Sequence, residues 1–90
     1  MADDTHFCII KNGRGSTNLV LAAYVYQKRA RTELAANRVM FDMLPSFQVT
    51  NFTEDELDVQ YIPIDGKIEP FSLCIVELTA EDLNTWLNNT

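Results

Sequence analysis

Two dipeptides constrain this chain more than any other feature. Asn12-Gly13 and Asp65-Gly66 each stand between apolar runs, and Asn-Gly and Asp-Gly best tolerate the positive φ of a tight hairpin turn. The first separates His6–Lys11 from Thr17–Tyr26, and the second separates Leu57–Ile64 from Ile68–Leu78. Two antiparallel hairpins are therefore expected, at about 6–26 and 57–78. In the first return run, Leu19, Leu21, Ala23 and Val25 alternate with Val20, Ala22, Tyr24 and Tyr26. A strand apolar on both faces is expected to be central or covered on both sides. In the second hairpin, Leu57, Val59 and Tyr61 alternate with Asp58 and Gln60. Pro63 and Pro70 flank its turn, so pairing should be interrupted there or lie at an edge.

Two other stretches carry a helical pattern. Residues 32–44, TELAANRVMFDML, are rich in good helix formers, with Leu34, Ala35, Arg38, Phe41 and Met43–Leu44 near one stripe. Pro45 ends it, because the residue before proline is pushed out of helical backbone. Residues 80–88 form the second helix: Thr79 can cap it, Glu81 and Asp82 suit its positive end, and Leu83, Trp86 and Leu87 share one face. A short strand is expected around Phe47 to Thr50. The fold class is α+β: a small antiparallel sheet with two helices, in one domain over residues 1–90 with 1–5 frayed.

Cys8 and Cys74 lie in apolar runs and read as buried, reduced thiols of an intracellular protein, cytoplasmic or nuclear. The opening MADDTHF has no basic and apolar leader pattern, and the longest apolar run, Leu19–Tyr26, is eight residues, well short of a membrane span. No membrane association is expected.

Charge is unevenly distributed. Residues 1–41 hold six of the seven basic residues and three acids; residues 42–90 hold one basic residue and ten acids, for a net of −6. Arg14, Lys28, Arg29, Arg31 and Arg38 form the candidate basic patch, close to Tyr24 and Tyr26. Basic and aromatic side chains together suit single-stranded nucleic acid. Glu54, Asp55, Glu56 and Asp58 form the candidate acidic patch, suited to a basic partner.

Catalytic and metal patterns are missing. His6 and Cys8 would face the same way on a strand, but zinc sites take more ligands at paired spacings, and a cysteine nucleophile needs an oriented base. Gly13-Arg14-Gly15-Ser16-Thr17 lacks the spacing of a phosphate loop. No cofactor is expected. The chain reads as a small non-enzymatic module, an adaptor, inhibitor or regulator, that binds a macromolecule through a charged surface. A protein is the expected partner, with homodimerisation through opposite charges or free strand edges. The alternatives are a nucleic-acid-binding domain using residues 28–38 and an acidic mimic of nucleic acid.

Lys11-Asn12-Gly13-Arg14-Gly15, then Leu19-Val20-Leu21, then Tyr24-Val25-Tyr26 with Arg29 and Arg31, resembles the first half of FLYWCH-type zinc fingers over about residues 7–48. The zinc ligands are missing: Met43 stands where a cysteine belongs, no paired histidine follows, and Ala23 replaces the glycine before the aromatic pair. The resemblance implies a strand across Arg38–Met43, where the helical pattern is read instead. It also implies DNA or protein binding carried by Arg14, Lys28, Arg29 and Arg31.

Overall fold

The computed structural model describes residues 5–13 and 19–88. Five strands and two helices follow in the order β1 (Thr5–Gly13), β2 (Leu19–Tyr24), α1 (Gln27–Met43), β3 (Phe47–Phe52), β4 (Glu56–Tyr61), β5 (Glu69–Thr79) and α2 (Ala80–Asn88). The strands form one antiparallel sheet in the order β2-β1-β5-β4-β3. This is the expected α+β class, with both hairpins present. Three boundaries differ. The strand at residues 47–52 is a full member of the sheet, making a third hairpin with β4. Thr5, expected to be frayed, pairs with Thr79. Asn12 and Gly13, expected to form the turn, still belong to β1, opposite Ser72 and Phe71 of β5. The long β5 template keeps them extended; Arg14 and Gly15 of the expected turn lie outside the described residues.

Asp65-Gly66 lies in the connection between β4 and β5. Gly66 is set by space: a Cβ there would stand 3.0 Å from Pro63 Cγ. Pro70 is the second residue of β5, just outside the β1–β5 ladder that starts at Phe71. A missing N–H is tolerated at such a strand end.

β2 and β3 follow each other in the chain yet form opposite edges of the sheet and run in the same direction. Such strands need a crossover, usually helical. α1 supplies it in 17 residues, about 25 Å of helix at 1.5 Å per residue. Four strand spacings of about 4.8 Å span about 19 Å, so the helix can cross the sheet obliquely. It touches all five strands.

This helix starts at Gln27, five residues before the expected start at Thr32. The run Gln-Lys-Arg-Ala-Arg is itself helix-forming, and Ala30 and Leu34, one turn apart, are the fully buried residues of α1. Leu44 ends the helix in extended backbone (φ −99°, ψ 126°), as the following proline requires. Met43, placed on the core stripe by its spacing, is instead 77% exposed. The strand implied at Arg38–Met43 by the zinc-finger resemblance is the C-terminal part of α1.

The sheet has a core on each face. Beneath α1, Ile9, Leu34, Leu57, Val59 and Leu73 are buried. On the opposite face, α2 places Leu83 and Trp86 against Cys8, Ile10 and Leu78. The apolar run of β2, expected to be central or covered on both sides, is instead an edge strand covered only in part: Tyr24 packs toward α1 and Val20 toward α2, while Leu19, Leu21 and Ala23 are exposed. Cys8 lies opposite Val76, and Cys74 lies opposite Ile10, so the two free thiols are diagonal neighbours on the α2 face. No described helix is long and apolar enough to cross a membrane.

Candidate functional site

The two charged patches meet each other. Arg31 points from α1 to the β3–β4 turn: its Nε donates to Asp55 Oδ1 at 3.0 Å and its Nη2 to Asp55 Oδ2 at 3.4 Å. Glu54 adds a third oxygen at 3.6 Å from Nη1. Hydrogen bonding to Asp55, aided by the charges of Asp55 and Glu54, raises the Arg31 pKa further. Arg29 pairs with Glu33 at 3.6 Å and lies 5.7 Å over the Tyr24 ring. Arg38 pairs with Asp42 at 3.1 Å and lies 5.3 Å over Phe52. Lys28 is exposed, with no ion-pair partner among the described residues. Arg14 lies outside the described residues, as does most of the Gly13–Thr17 loop. The basic residues are thus spread along a helix and largely answered by acids.

The acidic tetrad is divided as well. Glu54 and Asp55 sit in the turn beside Arg31, whereas Glu56 and Asp58 point from β4 to the face that α2 covers only in part. Asp58 lies opposite Ser72, and Glu56 lies opposite Cys74. Hydrogen bonding to Asp58 and repulsion from its charge raise the Glu56 pKa, with burial adding to it. The Cys74 thiol is held neutral by burial first, then by the charges of Glu56 and Asp58.

His6 and Cys8 do not form a thiol–imidazole pair. Cys8 is fully buried, its Sγ donates weakly to the His6 carbonyl oxygen at 3.9 Å, and burial raises its pKa. A neutral buried thiol is inert. His6 Nδ1 is buried without a hydrogen-bond partner. Among the described residues, no three His, Cys, Asp or Glu side chains group as metal ligands.

A concavity lies elsewhere among the described residues. As α1 crosses toward β3 it leaves part of the sheet uncovered, and an open groove of about 600 Å³ remains. Phe41, Phe47, Tyr61 and Phe71 form its aromatic lining, and Leu21 stands at its β2 rim. The rings pack edge to face: Phe47 and Phe71 are 6.2 Å apart at 89°, and Phe41 and Phe71 are 5.7 Å apart at 68°. Such pairs gain about 0.5–1.5 kcal/mol beyond their burial, so each ring helps to hold its neighbours in place. The Lys11 ammonium lies 5.1 Å from the Phe71 ring centroid. Asn37 also reaches the groove, with its amide N–H already given to the Glu33 carbonyl at 2.8 Å. The volume falls in the usual ligand-site range of about 300–1,000 Å³.

Apolar surface extends beyond the groove. Leu21 is 53% exposed, and Met43, Leu44, Ile62, Ile64 and Ile68 are exposed at the end of the sheet where α1 stops. The Ile62 N–H donates to the Ser46 carbonyl at 2.7 Å, tying the α1–β3 turn to the end of β4. Sequence reasoning did not find this site. The four rings come from α1, β3, β4 and β5, and each alone is an ordinary core aromatic. No protein-family model, curated protein or solved structure matches the chain.

Proposed function

We propose that this chain is a non-enzymatic interaction module that binds a protein, and that the contact is made by the aromatic groove and its apolar rim. The observation that carries this reading is the open groove of about 600 Å³ lined by Phe41, Phe47, Tyr61 and Phe71. A preformed aromatic surface supplies affinity at low entropic cost, because its side chains are already ordered. Arg29, Arg31 and Arg38 are engaged within the chain, which favours the groove over the expected charged surface as the contact. Exposed ion pairs of this kind carry little energy, but each offsets the charge of its arginine. Nucleic-acid binding through residues 28–38 loses support for the same reason, because counterion release needs clustered free cations. Mimicry of nucleic acid would need the carboxylates of residues 54–58, 65, 69, 77, 81 and 82 on one face, and it is disfavoured by the separation of Glu54 and Asp55, beside Arg31, from Glu56 and Asp58 on β4.

Panning a random peptide display library against the immobilised protein tests the reading. Enriched peptides should share apolar or aromatic residues and lose binding on Leu21→Lys and on Tyr61→Lys, with thermal stability retained. Both residues lie on the groove rim and are at least one-third exposed. Binders indifferent to both changes, yet lost on Lys28→Ala with Arg29→Ala, would refute it.

A further inference from the structure

On the reading that the groove binds a protein, we infer that this protein is a second copy of the chain, and that each copy inserts Ile64 into the aromatic groove of the other. Ile64 is the most exposed large apolar side chain among the described residues, at 102%. It lies in the β4–β5 connection, residues 62–68, which reads Ile-Pro-Ile-Asp-Gly-Lys-Ile. A connection between strands needs only turn and polar residues, yet three of these seven are isoleucine. The connection is held in shape. Pro63 fixes its own φ, and Gly66 approaches so closely that a Cβ there would stand 3.0 Å from Pro63 Cγ. At its start, the Ile62 N–H donates to the Ser46 carbonyl. An apolar side chain presented on a fixed turn loses little freedom on binding.

Knob and groove lie at the same end of the molecule. The connection leaves the sheet after Tyr61 and rejoins it at Glu69, and both residues line the groove. Ile64 does not fill the groove of its own chain, because it is fully exposed. A two-fold axis at the groove mouth carries the Ile64 of each copy toward the rings of the other, the self-complementary arrangement of a closed dimer. An unrelated partner in the groove would leave Ile64 in water, whereas a second copy covers knob and groove together. Leu44, Ile62 and Ile68 are exposed at this end as well. With the groove they exceed the few hundred Å² of contiguous apolar surface that a monomer usually shows.

Charge permits the contact. A chain of net charge −6 repels its own copy over most of its surface. At this end the balance is different. Lys11 and Glu69 line the groove, and Asp65 and Lys67 flank the tip of the connection, two charges of each sign. Arg38 and Asp42, further along α1, already answer each other. Two copies therefore meet here without net repulsion, and across a two-fold axis the Lys67 of one faces the acids of the other. A strongly basic or strongly acidic partner would gain no such match.

Sedimentation equilibrium of the full chain reads association. NMR of an equal mixture of unlabelled chain and chain isotope-labelled at its isoleucine methyls reads which residues touch across copies. A monomer–dimer equilibrium in the micromolar range is expected, with intermolecular contacts from the Ile64 methyls to the rings of Phe47, Tyr61 or Phe71. Ile64→Lys changes a fully exposed position, so the fold should be kept, as Trp86 fluorescence would confirm, while the dimer weakens about tenfold or more. Tyr61→Lys should weaken it comparably from the groove side. The two variants should part in the display selection: Ile64→Lys keeps an intact groove and should still bind the enriched peptides, and Tyr61→Lys should not. A chain that stays monomeric at millimolar concentration while its groove takes those peptides would overturn the second copy and leave the groove reading intact. A dimer that survives both substitutions, or that protects the β2 or β3 edge without contacts from Ile64, would place association elsewhere and overturn the inference; the display selection would then decide the groove reading independently. A dimer weakened by Ile64→Lys but not by Tyr61→Lys would overturn insertion into the groove.

Discussion

Arg31 and Asp55 lie 24 residues apart in the chain and meet through two hydrogen bonds, Nε to Oδ1 at 3.0 Å and Nη2 to Oδ2 at 3.4 Å. The pair pins the β3–β4 turn to the N-terminal half of α1. Lys28, Arg29 and Arg31 crowd the positive end of this helix, where cations are unfavourable, and Asp55 and Glu54 offset them. Asp55→Asn should lower the melting temperature at low salt, and the loss should shrink as salt rises toward the ~0.15 M at which the Debye length falls to about 8 Å. A salt-independent loss in thermal melts would contradict an electrostatic role.

Glu56 and Asp58 give a pH dependence of definite sign. The Glu56 pKa is raised in the folded state, first by its hydrogen bond to Asp58 and then by the Asp58 charge. A raised folded pKa contributes stability that is complete below the unfolded value, about 4.3, and is lost as pH rises through the folded value. Glu56→Gln should flatten the stability–pH curve just above the ordinary carboxyl range and should not destabilise the fold at neutral pH. Urea midpoints measured at half-unit pH steps would show it. An unchanged slope would count against the pairing.

The buried face of α1 depends on few side chains. Leu34 is 0% exposed and sits in the core with Leu57, Val59 and Leu73. Leu34→Ala should cost about 2–5 kcal/mol through lost burial and the cavity left behind. Met43→Ala, on the exposed stripe, should change stability by about 0.5 kcal/mol or less. Chemical denaturation separates them. Equal losses would mean that the exposed end of α1 is covered in solution.

The two helix N-termini should respond in opposite directions. Thr79 Oγ1 accepts the Asp82 N–H at 3.1 Å, and Thr79→Ala should cost about 0.5–2 kcal/mol. Tyr26 caps α1 without a side-chain hydrogen bond, in extended backbone suited to a cap (φ −111°, ψ 134°). It is 73% exposed, so Tyr26→Ser should stabilise the protein by about 1 kcal/mol. Thermal melts followed at Trp86 would detect both shifts.

Cys8 and Cys74 should be slow to react. Burial raises both thiol pKa values, and Glu56 and Asp58 raise that of Cys74 further. Their raised values contribute stability below the unfolded thiol pKa, about 8.5, which is lost as pH rises through the folded values. A thiol-specific chromogenic reagent at neutral pH should label the fully buried Cys8 at the rate of opening and the partly exposed Cys74 faster than that. Immediate labelling of both thiols would show that α2 does not cover this face.

Local patterns revealed much of the fold. The alternation of Leu57, Val59 and Tyr61, and the capped i, i+3, i+4 face of Leu83, Trp86 and Leu87, are written within single elements and appear where expected. Gln27–Arg31 was harder to place: its charges suggested a surface run, whereas Ala30 one turn before Leu34 shows it to be the start of α1. The groove was not legible, because Phe41, Phe47, Tyr61 and Phe71 meet only after four elements pack.

The sequence by itself determined the antiparallel strands, the two helices and the uneven supply of charge. Turn chemistry, side-chain period and capping act over a few residues and need no distant partner. Tertiary structure decided that β2 and β3 are opposite edges, that Arg31 neutralises Asp55, and that α1 crosses obliquely and leaves aromatic rings open. Several arrangements of the same elements would bury comparable apolar area. Only the meeting of particular faces across the sheet selects among them, and that choice brings together residues whose separation in the chain says nothing of their distance in space.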